Sequence, residues 1–243
     1  PLALVKYHHR KNLKNLEEVK MPLVYKSINA QQNTPYVINH FLFKVLKKAW
    51  DKDISIGGLP KAELEELPVK PHDIETNEDA RRAYRRKAVL VHTENARLKS
   101  KRLLFAKVMW IAEMFLDKTF YHCHTLDFRS RCYQVTNYLN GQGVDFAKAL
   151  HLFGAGKKIT EENNGGYWLA VTGASLYGVD KGTRDEQVQW VNENFDVFKE
   201  MQQDPFTNRE WEKASKPFQF LAWVNEWCQF QEHGYGYVSS FIC

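Results

Sequence analysis

The residues best suited to chemistry lie in the segment 127–133, where an aspartate and two alternating arginines precede a β-prone run. In an extended chain, Arg129 and Arg131 share one face. Guanidinium groups with this spacing can each hold a phosphate through two hydrogen bonds, and Asp127 can orient one of them. A surface salt bridge within a loop is the simpler interpretation of the same residues. The segment alone leaves both interpretations open.

A second basic feature is the stretch 81–107, in which ten lysines and arginines are opposed by one acidic residue, Glu94. Residues 1–126 hold 23 Lys and Arg against 14 Asp and Glu, whereas the remainder holds 11 against 15. A solvated helix face is the usual interpretation of a charge run, but acidic partners at helical spacing are nearly absent here. Each cation that neutralises a nucleic-acid phosphate releases counterions and so gains affinity. The stretch therefore favours nucleic-acid contact.

Two further clusters are weaker candidates for a site. His122, Cys123 and His124 are metal-binding residue types, but they are nearly adjacent and no second pair lies at zinc-finger spacing, so we expect no metal site. The aromatic residues of 218–230 could stack on bases, but they sit among aliphatic residues at helical spacing and are expected in the core. No glycine-rich phosphate loop or nucleophile elbow is present, so a free-standing hydrolase has no support.

Composition points to a globular protein. The 243 residues are 44% hydrophobic and 26% charged, which is far from the composition of disordered chains. The sequence shows no apolar run long enough to cross a membrane and no secretory signal, so we expect a cytosolic protein. Four irregularly spaced cysteines suit reduced thiols. The first residue is Pro1 and the last three are apolar, so both ends are expected to be cut from a longer chain.

Helical periodicity dominates the elements that must position these residues. Apolar residues at helical spacing predict helices over 36–50, from the N-cap candidates Thr76 and Asn77 to about residue 91, and again over 104–116. Residues 123–135 are β-prone, and the turn 140–143 precedes a short helix at 146–153. Further helices are predicted around 167–171 after a Thr160 cap, over 185–202 and over 218–230. The predicted fold is mainly α with a minor β component.

Several short segments, which follow one another in the same order along the whole chain, resemble segments of the single-subunit RNA polymerases of T-odd bacteriophages. These phage enzymes are related to the mitochondrial polymerases. The segments are residues 1–5, 21–29, 65–71, 126–133, 140–143, 167–169, 173–174, 178–181 and 217–222. By this resemblance, residues 1–30 are the end of an N-terminal domain and 31–118 a helical thumb. Residues 119–243 are then the first part of an α-rich palm, truncated before the first catalytic aspartate motif.

The resemblance also implies roles for individual residues. Contacts with template and RNA:DNA hybrid are expected from Arg97, Lys99, Lys101, Arg102, Asp127, Arg129, Arg131, Tyr133 and Lys148, and a contact with nucleotide phosphates from Lys181. Residues 127–131 match a family motif in which a glycine occupies the position of Ser130. Glycine accepts a positive φ and close backbone approach, so Ser130 puts that turn in question.

A DNA-directed RNA polymerase is therefore the expected whole protein, acting on a DNA template with ribonucleoside triphosphates. Mg²⁺ is expected in the complete enzyme, on ligands outside this chain, where it would activate the RNA 3′-hydroxyl and stabilise pyrophosphate. The chain holds no catalytic residue by this resemblance and should be inactive without the rest of the palm and the fingers. A polymerase encoded by a phage is expected to act in the cytoplasm of the bacterial host. The alternatives are a non-catalytic nucleic-acid-binding remnant, one half of a split polymerase, or a helical adaptor.

Overall fold

The computed structural model describes residues 19–127 and 129–242, so predictions that rest on residues 1–18, Phe128 or Cys243 lie outside the described residues. The helices are α1 (Pro22–Gln32), α2 (His40–Asp51), α3 (Glu78–Met114), α4 (Asp145–Ala149), α5 (Gly165–Tyr177), α6 (Arg184–Glu193), α7 (Phe195–Gln203) and α8 (Pro217–His233), with a 3₁₀ turn at Glu210–Lys213. The strands are β1 (Tyr36–Ile38), β2 (His124–Leu126), β3 (Cys132–Gln134), β4 (His151–Phe153), β5 (Lys157–Lys158) and β6 (Val238–Ser239).

The strands form three small antiparallel sheets within the described residues, pairing β1 with β4, β2 with β3, and β5 with β6. Helices supply the rest of the regular structure. The predicted class, mainly α with a minor β component, is therefore confirmed. No helix in the described part of the chain is long and apolar enough to cross a membrane.

The 37-residue helix α3 is the longest element. Asn77 caps it, since its Oδ1 accepts from the backbone N–H groups of Asp79 and Ala80 at 3.1 and 3.2 Å. Residues 78–114 contain no glycine or proline, so the helix continues for about 55 Å at 1.5 Å per residue. The prediction of two helices separated near residue 91 is therefore wrong, because nothing in this sequence interrupts the backbone hydrogen bonds.

The connector 52–77 runs back along α3. Near its start, the side chain of Arg102 bonds to Asp53 and to the carbonyl of Pro60, both at 3.2 Å. Further out, Asn95 and the backbone of Glu65 exchange two hydrogen bonds of 2.8 Å. We call residues 52–104 the arm. Within its helical part Ala88 is buried and the other residues are half-buried or exposed, so the arm has little core of its own.

The part of the hydrophobic core that lies among α5, α6, α7 and α8 is rich in aromatic residues, and we call these four helices the aromatic body. Trp223 is fully buried and donates from its indole N–H to the carbonyl of Leu169 at 2.7 Å. Gly173 lies against it so closely that a Cβ would fall 2.1 Å from the indole ring, so a side chain cannot fit there. The aromatics of 218–230 are at most 6% exposed, which confirms that they are core residues.

Several predicted boundaries are wrong for local reasons. Residues 36–38 form a strand paired with β4, and the helix predicted from 36 begins at His40, where Asn39 accepts from the N–H of Leu42 at 3.1 Å. The helix predicted over 146–153 likewise ends at Ala149, because the following residues pair with β1. Thr160 accepts from Asn163 in a turn that precedes α5. Residues 185–202 form two helices with Asn194 between them.

Candidate nucleic-acid interface

The segment 127–131 is the loop of a β-hairpin, which we call the arginine hairpin together with strands β2 and β3. The register pairs Leu126 with Cys132 and Thr125 with Tyr133. Arg129 and Arg131 are both exposed and both lie in the loop, before β3 begins. They therefore do not share the face of a strand, as an extended segment would have required. The hairpin instead presents them at its tip.

Asp127 organises the tip through its carboxylate. Oδ1 accepts from the backbone N–H groups of Arg129 and Arg131 at 2.8 and 2.9 Å, and Oδ2 accepts from the Tyr133 hydroxyl at 3.3 Å. These bonds, with that from Arg131 the strongest, hold the pKa of Asp127 below its ordinary value because they favour the ionised form. Asp127 thus bonds to the backbone of both arginines, and the orientation of a guanidinium group by its carboxylate stays a prediction.

Ser130, which stands where the resembling family has glycine, takes a positive φ of 62°. Its N–H donates to the carbonyl of Asp127 at 3.1 Å, and the N–H of Asp127 donates to the carbonyl of Arg131 at 3.0 Å. The loop therefore adopts the left-handed turn without glycine. A side chain in this region of φ costs about 1–2 kcal/mol, and the hydrogen bonds of Asp127 offset that strain.

Two glutamines hold the glycine turn 140–143 against β3. Gln142 accepts from the N–H of Gln134 and donates to the carbonyl of Cys132, each at 2.9 Å. The side chain of Gln134 accepts in turn from the N–H of Gly141 at 2.7 Å. An amide side chain thus pairs with the outer edge of the hairpin as a neighbouring strand would. Neither glutamine was predicted as a site residue, since nothing in their spacing distinguishes them from ordinary polar residues.

Lys148 lies on α4 and lines a cleft of about 140 Å³ together with Gln134 and Gly141. The cleft also includes Gln219 of α8. Asp145, one turn before Lys148, accepts from the N–H of Phe218 at 2.7 Å and from the Gln219 amide at 2.8 Å, which fixes α4 to the start of α8. The structure therefore places Lys148 in one cleft with Gln134, the last residue of β3, whereas Asp127, Arg129, Arg131 and Tyr133 do not line this cleft.

The four basic residues predicted on the arm are less uniform than their sequence run suggests. Arg102 is held by Asp53 and Pro60, and its guanidinium lies 4.4 Å from the ring of Trp50. Arg97 pairs with Glu94 at 3.4 Å. Lys101 is exposed beside the connector. Lys99 is exposed and, two residues away at about 100° per residue, lies on nearly the opposite side of α3 from Lys101.

Lys181 lies in the loop between α5 and α6 and is exposed. The described part of the chain gives its side chain no ion pair or hydrogen bond. Its predicted role at nucleotide phosphates remains a prediction. Within residues 19–127 and 129–242, no three Asp, Glu, His or Cys side chains are grouped so that they could hold a metal ion.

Comparison with known proteins gives a consistent result over nearly the whole chain. The family described as DNA-dependent RNA polymerase matches residues 159–243. The chain is 37% identical to the T7 RNA polymerase of Escherichia phage T7 over 99% of its own length and 27% of that polymerase. It is 36% identical to the DNA-directed RNA polymerase of Enterobacteria phage K11, again over 99% of the chain and 26% of the relative.

A mitochondrial DNA-directed RNA polymerase from Neurospora crassa is 31% identical over 83% of the chain and 14% of its own length. The chain thus spans about a quarter of the length of its phage relatives, and less of the mitochondrial one. Similarity of this extent to several phage polymerases, together with the family match, agrees with the resemblance drawn from the motifs. The chain belongs to the family of T7-like phage RNA polymerases.

Proposed function

We propose that this chain is part of a DNA-directed RNA polymerase, in which it holds the template and the RNA:DNA hybrid during template-directed nucleotidyl transfer from ribonucleoside triphosphates. In this proposal residues 1–30 end an N-terminal domain, 31–118 form the thumb and 119–243 begin the palm. The arm, residues 52–104, would be the projecting part of the thumb. The whole polymerase would act in the cytoplasm of the bacterial host.

The observation that carries the proposal is the tip of the arginine hairpin. Asp127 fixes the backbone of Arg129 and Arg131 through two hydrogen bonds of 2.8 and 2.9 Å, while both residues remain exposed. Arginine guanidinium groups bind phosphate bidentately, and a fixed backbone lowers the entropy lost when they do so. Tyr133, bonded to the same carboxylate, would lie beside the bound backbone.

Lys148 would extend the same contact. It lines the cleft beside the hairpin with Gln134 and Gly141. In this proposal the arginines hold one phosphate of a nucleic-acid strand, and the lysine holds another phosphate further along the same nucleic-acid strand. Phosphate contacts of this kind set position and register without reading sequence. This property suits a polymerase, which must hold every sequence that it copies.

The arm would contribute a different kind of contact. Lys99 and Lys101 stand exposed on nearly opposite sides of α3, and Arg97 is exposed beside Glu94. Exposed cations on a long helix attract a polyanion and release its counterions on binding. Arg102 is held by Asp53 and Pro60, so we propose that it mainly stabilises the arm. It would contribute less to nucleic-acid binding than Lys99, Lys101 and Arg97.

Two parts of the proposal concern the complete enzyme. Lys181 would contact the phosphates of the incoming nucleotide, and its side chain is exposed. Mg²⁺ would be bound by residues elsewhere in the polymerase. The fingers and the rest of the palm would be the partners of this chain. Without them it is expected to bind nucleic acid and to synthesise no RNA.

Fluorescence anisotropy with a labelled RNA:DNA hybrid tests the binding function directly. The wild-type chain should bind the hybrid, and Arg131→Ala should weaken binding about tenfold, since it removes a charge-assisted phosphate contact. Lys213→Ala, which removes the same charge on the 3₁₀ turn, is the matched control and should bind like wild type. Equal affinity of all three proteins would contradict the proposed interface.

A primer-extension assay tests the proposed dependence on the rest of the polymerase. The isolated chain, supplied with template, primer, nucleotides and Mg²⁺, should give no extended RNA. Synthesis by the chain alone would contradict the assignment of the catalytic residues to other parts of the enzyme.

A further inference from the structure

Two buried histidines meet at the base of the arginine hairpin. The Nε2 atoms of His122 and His151 lie 2.9 Å apart, and each residue is 3% exposed. The rings of Tyr36 and Phe120 pack around them, with centroids 5.3–5.7 Å from those of the histidines. Buried polar groups in such an apolar setting persist when they are hydrogen-bonded to one another.

The surrounding bonds assign the donor and the acceptor. Nδ1 of His151 lies 2.7 Å from the carbonyl oxygen of Ala147, which accepts, so Nδ1 carries the proton. In a neutral ring Nε2 of His151 is then the acceptor, and Nε2 of His122 donates to it. Burial lowers the pKa of both histidines to about 4, so both rings are neutral near pH 7.

The pair links the base of the arginine hairpin to the helix that carries Lys148. His151 bonds to the carbonyl of Ala147 in α4, the helix that carries Lys148. His122 lies two residues before β2, and its Nδ1 is 3.4 Å from the hydroxyl of Thr136 across the base of the hairpin. A shift of α4 relative to the hairpin would stretch the bond between the histidines and leave a buried nitrogen unpaired, which is unfavourable.

A hydrogen bond does more here than apolar packing could do. Apolar side chains would fill the same space but would permit small sliding movements, whereas a donor and an acceptor fix both a distance and a direction. The other titratable side chains at the pair are Tyr36 of β1 and His124 of β2. His124 leaves its Nδ1 without a hydrogen-bond partner in the described structure.

We propose that His122 and His151 are positioning residues of the nucleic-acid interface. Their hydrogen bond sets the separation between the Arg129–Arg131 tip and Lys148, and so the spacing of the phosphates that the tip and the lysine hold. The inference rests on the proposed function, because it requires the hairpin and Lys148 to bind one nucleic acid. Each histidine is 3% exposed, with His151 among the residues that line the cleft, and we assign to both a positioning role rather than a contact with phosphate.

A double-mutant cycle read as hybrid affinity tests the inference. His122→Phe keeps a ring and removes the donor, whereas His151→Leu removes the acceptor with a modest change in volume. Each single substitution should weaken binding about fivefold to tenfold, at a temperature where circular dichroism shows a folded chain. The double variant should bind no more weakly than either single variant, because it leaves no polar nitrogen unpaired.

Two further variants separate positioning from simple stability. His122→Gln, whose amide nitrogen can take the place of Nε2, should bind within about twofold of wild type. Phe198→Leu, changed in the core of the aromatic body, should lower the melting temperature and leave hybrid affinity unchanged. A loss of affinity in Phe198→Leu equal to that in His122→Phe would overturn the positioning role.

Failure of the inference and failure of the proposed function give different results. If His122→Phe binds like wild type while Arg131→Ala binds weakly, the positioning role is wrong and the proposed function stands. If no form of the chain binds hybrid, the proposed function is wrong and the inference falls with it. ¹⁵N NMR of wild type should show scalar coupling between the two Nε2 atoms, and its absence would overturn the inference independently of binding.

Discussion

The arm and the arginine hairpin are both basic, but they hold their charges in different ways. On the arm, Lys99 and Lys101 extend into solvent from a helix with little core of its own. In the hairpin, the carboxylate of Asp127 bonds to the backbone of Arg129 and Arg131, and the buried histidines lie beneath. A lysine that extends into solvent can follow a moving phosphate. An arginine on a fixed backbone instead defines where the phosphate must lie.

The same contrast extends to stability. The aromatic body contains the large buried rings, and the hairpin is tied to it through α4 and Asp145. Within the arm, polar bonds such as those between Asn95 and Glu65 hold the connector to α3. Substitutions should therefore have large effects on folding in the body, moderate effects on binding in the hairpin, and small, salt-dependent effects on the arm.

The largest expected effect is a loss of stability in the aromatic body. Trp223→Ala removes a fully buried ring and its bond to Leu169, and should lower the free energy of unfolding by about 3–5 kcal/mol. The matched change on the arm, Leu90→Ala, removes a side chain that is 70% exposed and should stay within about 0.5 kcal/mol of wild type. Urea denaturation measures both, and similar losses would contradict the contrast in packing.

Acid should destabilise the base of the hairpin before it affects the arm. The pKa values of His122 and His151 are about 4 in the folded chain, below the ordinary 6.5, so the unfolded chain binds more protons between these values. Their contribution to stability is therefore complete above pH 6.5 and is lost as the pH falls towards 4, by at most about 1.4 kcal/mol per pH unit for each histidine.

Urea denaturation across pH 4–7 measures this loss. The double variant His122→Phe/His151→Leu should lose much of the pH dependence in this range, whereas His92→Gln on the arm should keep it. A wild-type chain whose stability is flat from pH 7 to pH 4 would show that the two histidines are not buried as neutral rings.

The carboxylate of Asp127 should matter for binding more than any single cation on the arm. Asp127→Ala removes the acceptor for two backbone N–H groups and should weaken hybrid binding about tenfold, with unchanged helical content. Asp127→Asn keeps an oxygen acceptor and should fall between that variant and wild type. Anisotropy measures the affinities, and Asp127→Ala binding as tightly as wild type would mean that the tip needs no fixed backbone.

The smallest expected change is a gain in stability at the tip. Ser130→Gly removes the strain of a side chain at the positive φ of 62°. Glycine also increases the entropy of the unfolded chain, which offsets part of this gain, so the free energy of unfolding should rise by up to about 1 kcal/mol. Ser130→Ala, which keeps a Cβ, should give no gain. Destabilisation by Ser130→Gly would show that the serine hydroxyl contributes more than the backbone strain costs.

Periodicity predicted the helical class and the core aromatics, because each follows from local residue types. The binding role of segment 127–133 stays a prediction. The strand at 36–38 was missed because it depends on pairing with β4, and the continuity of α3 was missed although residues 78–114 contain no glycine or proline. Side-chain bonds between distant segments, such as Gln134 with Gly141 and His122 with His151, leave no spacing signal. The prediction that Ser130 occupies an unusual turn is met, because Ser130 has the positive φ that glycine would accept.

The salt dependence of hybrid affinity tests most directly whether the arm and the hairpin hold nucleic acid differently. Wild type, Lys99→Ala and Arg131→Ala should be titrated with the same hybrid from about 50 mM to 1 M salt. Lys99→Ala should reduce the slope of log K against log salt by about 1 and converge with wild type at high salt. Arg131→Ala should remain weaker at every salt concentration, and two variants that both converge with wild type at 1 M would contradict the fixed contact proposed for the hairpin.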